Sequence, residues 1–124
     1  MRNIKKLPDA EFEIMKVIWR NPSPITTMQI ISNLEPDKTW KPQTVLTMLV
    51  RLIEKGFLKS EKAGKERNYT PIIPEQDYLQ SETGNFMQQY YGNSLGSFVK
   101  TLYNGKELSQ KDLQELREWL NERK

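Results

Sequence analysis

Apolar side chains recur at helical spacing over residues 9–20, where Phe12, Met15, Ile18 and Trp19 fall toward one side. Asp9 is placed to cap this helix, and its charge and that of Glu11 suit the positive end of a helix dipole. Asn21-Pro22-Ser23-Pro24 stops it. Thr26 and Gln29 have the spacing of a capping box and predict a short second helix through Leu34. After a turn at Glu35–Lys38, Pro42 stands where a first helical turn tolerates proline, and Gly56 marks the end of a third helix.

That third helix sorts into two arcs at 100° per residue. Val45, Met48, Leu49 and Leu52 form a core arc flanked by Ile53, while Gln43, Thr44, Thr47, Val50, Arg51 and Glu54 point the other way. The outward arc is polar but carries little charge, unlike an ordinary solvated face. Two alternating segments, Phe57–Lys62 and Arg67–Pro71, flank a glycine turn and predict a β-hairpin with Lys62, Lys65 and Arg67 at or near its tip. Beyond Pro74 three more helices are expected: residues 75–91, a helix capped by Ser94 and broken at Asn104-Gly105, and a last one opened by Ser109 and Asp112 as a second capping box.

Composition removes whole classes of chemistry. The 124 residues contain no cysteine and no histidine, which excludes zinc sites built on those ligands, thiol nucleophiles, Ser-His-Asp triads and disulfides. No cofactor or metal is expected. Carboxylates such as Glu11 with Glu13, or Asp112 with Glu115, read as solvated or capping groups rather than a catalytic pair, and no glycine loop suits a phosphate, so no enzyme is predicted. With 28% charged residues, no signal-like start and no run long enough to span a membrane, the reading is a cytoplasmic protein without membrane insertion. The net charge of +3 is unevenly placed. Residues 1–71 hold 13 Lys/Arg against 8 Asp/Glu, a balance of +5, and residues 72–124 hold 6 against 8, a balance of −2. The basic half is suited to a polyanion.

Three helices followed by a hairpin is the order of a winged helix-turn-helix. The fold class expected is mainly α with a small β-hairpin: a winged-helix DNA-binding domain over 1–73 and a helical dimerisation domain over 74–124. In such a fold the third helix lies in the major groove and the hairpin runs along the phosphates. Trp40, Lys41, Gln43, Thr44, Thr47, Val50, Arg51, Lys62, Lys65 and Arg67 are then the candidate contacts to double-stranded DNA. A winged-helix protein-interaction module without DNA binding is the alternative. The C-terminal helices carry Tyr90, Tyr91, Leu95, Phe98, Val99, Leu102, Leu113, Leu116, Trp119 and Leu120, an apolar surface expected to form a homodimer, with folding back onto the N-terminal core as the other option.

Leu7-Pro-Asp-Ala-Glu11-Phe-Glu-Ile-Met15-Lys-Val-Ile-Trp19 and Trp40-Lys-Pro-Gln-Thr44-Val-Leu-Thr47-Met-Leu-Val-Arg51-Leu-Ile-Glu-Lys-Gly56 resemble the penicillinase-repressor family, BlaI/MecI. The segment Leu108-Ser-Gln-Lys-Asp-Leu-Gln-Glu-Leu-Arg117 extends the resemblance into the tail. The resemblance implies a homodimeric repressor on a palindromic operator, controlling β-lactam-response or related genes. It also implies release through proteolysis triggered by a membrane sensor-protease system, or by a non-β-lactam signal. Three positions depart from the pattern. Gln43 stands where lysine is common, Thr101-Leu102 matches the Asn-Phe bond at which family members are cut, and the cysteine-rich tail of a copper-responsive branch is absent.

Overall fold

Residues 3–123 are described by a computed structural model. Among them, helix α1 (Asp9–Trp19) leads to a two-residue strand β1 (Ile25–Thr26), then to α2 (Thr27–Ser32) and α3 (Pro42–Glu54). Strands β2 (Leu58–Ala63) and β3 (Glu66–Pro71) form the hairpin, and α4 (Glu75–Tyr91), α5 (Leu95–Asn104) and α6 (Gln110–Glu122) complete the chain. Two compact units result, Met1–Glu82 and Thr83–Lys124.

The core of the first unit is made where helical and strand periodicities converge. Ile14, Met15 and Ile18 of α1, Ile30 of α2, Val45, Leu49 and Leu52 of α3, Phe57 and Leu58 are all fully buried. The four residues of the expected core arc of α3 are buried, at 5% exposure or less. Truncating one of them, for instance Leu49→Ala, would cost about 2–5 kcal/mol. In α1 the buried stripe is Glu11, Ile14, Met15 and Ile18, with Phe12 and Trp19 at its edge. The expectation that Glu11 is solvated is therefore corrected: it is 3% exposed and paired with Lys55. Asp9 is corrected as well, since it is the first helical residue and the cap position falls on Pro8, which offers no side-chain bond.

Thr26 caps α2 as its spacing requires: its side chain accepts from the Gln29 N–H, and Gln29 accepts from the Thr26 N–H in return. The same residue belongs to β1, whose pairing Ile25↔Tyr69 and Thr26↔Asn68 adds a third strand to the expected hairpin, in the order β1-β3-β2. Two residues carry no alternation to read, so this strand is a product of the tertiary fold. Gly56, at φ 83°, ends α3: its N–H donates to the Ile53 carbonyl and the Phe57 N–H to the Leu52 carbonyl. Buried Phe57 and Leu52 accompany these bonds, the combination found where a helix ends in a left-handed residue.

The boundary between units lies inside α4, not at the expected residues 73/74. Tyr78 is 4% exposed, stacks on Phe12 and meets Phe57 edge-on, and its hydroxyl accepts from the Leu7 N–H at 3.0 Å. Trp19 donates through its indole N–H to the Ile73 carbonyl at 2.9 Å. The first turns of α4 thus belong to the winged-helix core.

In the second unit Ser94 caps α5, and Ser109 with Asp112 forms the expected capping box of α6. The backbone and side-chain bonds from Ser109 hold the exposed Asp112 carboxyl below its usual value. Helix α5 ends at Asn104 with Gly105 at its cap, as expected; Gly105 keeps φ −81°, and Lys106 takes the left-handed conformation at φ 61°. Phe86, Tyr91 and Phe98 make a small ring cluster. Neither α5 nor α6 has a buried residue.

Candidate nucleic-acid interface

The outward face of α3 is set by its own periodicity. Because Val45, Met48, Leu49 and Leu52 are held in the core, Lys41, Gln43, Thr44, Thr47, Val50 and Arg51 are all exposed, Val50 at 55%. Thr47 donates its hydroxyl proton to the Gln43 carbonyl at 3.0 Å, which leaves the oxygen lone pairs and the methyl group free to meet a partner outside. Trp40 is placed differently from the rest of this group. It is half-buried against the core, with the Lys38 ammonium 6.0 Å from its ring centre. Leu46, 37% exposed, stands on the outward side and was not read as part of it from the sequence. Its position at the margin of the two arcs is the only signal that could have found it.

The hairpin presents its cations as a cross-strand pair. Lys62 and Arg67 are directly opposite in the β2–β3 register, and Lys65 occupies the turn beside Gly64, whose φ of 65° suits the first central position of a two-residue hairpin turn. Like charges facing each other across a ladder destabilise a sheet. Arg67 donates to Ser60 Oγ at 3.2 Å, a neutral partner that leaves its charge uncompensated. The arrangement gains stability when a polyanion lies along it.

Two devices fix α3, one toward the hairpin and one toward α1. The left-handed turn at Gly56 delivers Phe57 into the core and starts β2 directly afterwards. At the same end, Lys55 reaches back to buried Glu11 in α1, fixing the axis of α3 at a point away from its exposed face. Among the described residues, no group of three or more Asp or Glu side chains is placed to hold a metal ion, and no helix is long and apolar enough to cross a membrane.

Of the tail residues expected at a dimer contact, Tyr90, Leu95, Leu116, Trp119 and Leu120 are exposed, between 39% and 64%. Tyr91, Phe98, Val99, Leu102 and Leu113 are intermediate. Thr101 and Leu102 lie within α5, where the Thr101 carbonyl accepts from the Gly105 N–H at 3.0 Å.

Comparison with known proteins places this geometry. The family model described as penicillinase repressor matches residues 7–122. A penicillinase repressor of Bacillus licheniformis is 40% identical over 124 residues, covering 100% of this chain and 96% of the relative. The methicillin resistance regulatory protein MecI of Staphylococcus aureus (strain N315) is 30% identical over 118 residues, 95% of each chain. The solution structure of the DNA-binding domain of the repressor BlaI matches with a TM-score of 0.54 and 49% identity, over 63% of this chain and 94% of that one. Bacillus licheniformis BlaI, solved in monomeric form in complex with the blaP half-operator, matches with a TM-score of 0.52 at the same identity and coverage. The helix order, the small antiparallel sheet and these matches agree on a winged helix, and the chain belongs to the penicillinase-repressor family.

Proposed function

We propose that this chain is a DNA-binding transcriptional repressor that acts as a homodimer on a palindromic operator. The observation that carries the reading is the juxtaposition of an exposed, lightly charged α3 face with the facing cations Lys62 and Arg67. Gln43, Thr44, Thr47 and Val50 offer hydrogen bonds and methyl contacts to base edges, and the hairpin cations offer sequence-independent attraction to phosphates. A relative of 49% identity was solved with a half-operator, which supports the same use of the surface here.

The second unit supplies the dimer. Large apolar side chains stand exposed on α4, α5 and α6, and no residue of α5 or α6 is buried within the chain, so a second copy is what these helices lack. The controlled genes are those of β-lactam response, following the names of the relatives. Induction runs through a membrane sensor-protease system that removes the tail. Cleavage at Thr101-Leu102 needs the last turn of α5 to open first, because a protease takes extended backbone and this bond is helical.

A salt titration of binding to duplex DNA tests the reading. A repressor that releases phosphate counterions loses affinity with a log–log slope of several. A shallow slope, with binding to a protein partner instead, would overturn it in favour of an interaction module.

A further inference from the structure

Between the N-terminal turns of α2 and α3 and the hairpin lies a groove of about 330 Å³. Its lining is mostly apolar, contributed by Met28, Pro42, Leu46 and Tyr69. Met28 is 62% exposed and Leu46 37%. Lys65 and Arg67 stand along the same groove, against a single carboxylate, Glu66. Leu46 also belongs to the outward surface of α3 with Gln43, Thr47 and Val50. The groove is therefore continuous with the reading face on one side and with the cationic hairpin on the other.

We propose that this groove seats one deoxyribose-phosphate unit of the operator and discriminates against a 2′-hydroxyl at that nucleotide. The inference rests on the DNA-binding reading. With α3 in the major groove and the hairpin along the phosphates, one sugar-phosphate strand must cross the space between them. This groove is that space. Phosphate oxygens meet Lys65 and Arg67, and the C2′ edge of the sugar lies on Leu46 and Met28. A deoxyribose edge is apolar and fits that floor. A ribose would place a hydroxyl there without a partner, and an unpaired polar group against an apolar surface is unfavourable. The 2′-hydroxyl is the group by which a protein distinguishes RNA from DNA at a given site.

The test uses the full chain and a duplex it selects from a random DNA pool. Single ribonucleotides are introduced one at a time along both strands, and affinity is measured by fluorescence anisotropy. One position per half-site should lose about fivefold or more in affinity, from an unpaired hydroxyl on an apolar contact. Leu46→Ala or Met28→Ala, whose folding is checked by thermal melting, should reduce that loss to about twofold or less by opening room for water. Glu66→Gln should tighten binding to all duplexes. If no ribonucleotide is penalised, or if the penalty is the same in both groove variants, the proposal is overturned. If the pool yields no enriched duplex, the DNA-binding reading itself fails, an outcome distinct from the other.

Discussion

Lys55, at the C-terminal cap of α3, donates to the carboxylate of Glu11, which is 3% exposed in the first turn of α1. The pair ties the helix that faces outward to the helix that holds the core. Its two members are unequal in solvent access, with side-chain exposures of 25% for Lys55 and 4% for Glu11. Lys55→Ala strands a buried carboxylate and should destabilise the fold by about 2–3 kcal/mol, below the full penalty of a broken buried pair because water reaches one side. Glu11→Ala should cost less, since the lysine can turn to solvent. Urea unfolding monitored by tryptophan fluorescence reads both, and equal effects would contradict this asymmetry.

Thr44 and Thr47 are exposed on α3, and neither belongs to its core arc. Thr44→Ala and Thr47→Ala should each weaken specific operator binding by about 1–3 kcal/mol while leaving the thermal midpoint within a few degrees of wild type. Operator affinity unchanged in both variants would remove α3 as the reading element.

Lys62 and Arg67 repel each other across the hairpin, with Lys65 at its turn. Replacing all three by Gln should lower the salt slope by up to about 0.9 for each phosphate no longer neutralised and weaken binding to all sequences alike. The same replacement relieves facing like charges, so stability should stay level or rise by about 0.5 kcal/mol. A loss of sequence discrimination at constant slope would instead make the hairpin a reader of bases.

Burial raises the pKa of the Tyr78 hydroxyl above 10.0, with Glu82 and Asp9 adding to it and the Leu7 N–H opposing. A folded-state pKa above the unfolded one makes the neutral tyrosine a stabilising group below about pH 10. That contribution declines as pH rises through the raised folded value. Tyr78→Phe should cost about 1 kcal/mol at neutral pH, by leaving the Leu7 N–H without its acceptor. It should also flatten the loss of stability above pH 10. Chemical unfolding at pH 7 and at pH 10.5 checks both parts.

Removing residues 102–124 deletes the apolar face of α6 and the end of α5 while sparing the first unit, which ends at Glu82. A 1–101 fragment should keep the winged-helix fold, sediment as a monomer and bind operator at least about tenfold more weakly, a loss of roughly 1.4 kcal/mol. Sedimentation velocity and anisotropy decide it. A fragment that is dimeric at micromolar concentration with full affinity would refute the dimer requirement.

Features governed by local rules were legible along the chain. Helical spacing located α1 and α3, capping pairs at Thr26/Gln29 and Ser109/Asp112 located the starts of α2 and α6, and glycine at 56 and 64 marked turns, because each depends on neighbours within four residues. The exposed face of α3 followed from the same helical periodicity, and the hairpin cations from the glycine turn between two alternating segments. Features that depend on distant partners emerged only with the assembled fold. Glu11 sits on an acidic helix start and looks solvated until Lys55, forty-four residues away, arrives beside it. Tyr78 lies past the hairpin, yet it completes a core built from Phe12 and Phe57, which moves the unit boundary into α4. The strand at Ile25–Thr26 exists only because β3 offers it an edge. Leu46 and Met28 matter as a pair because two helices and a hairpin converge, and no spacing along the chain encodes that meeting. Long-range burial and pairing are set by which surfaces the fold brings together, and a one-dimensional pattern carries only the surfaces, not their meeting.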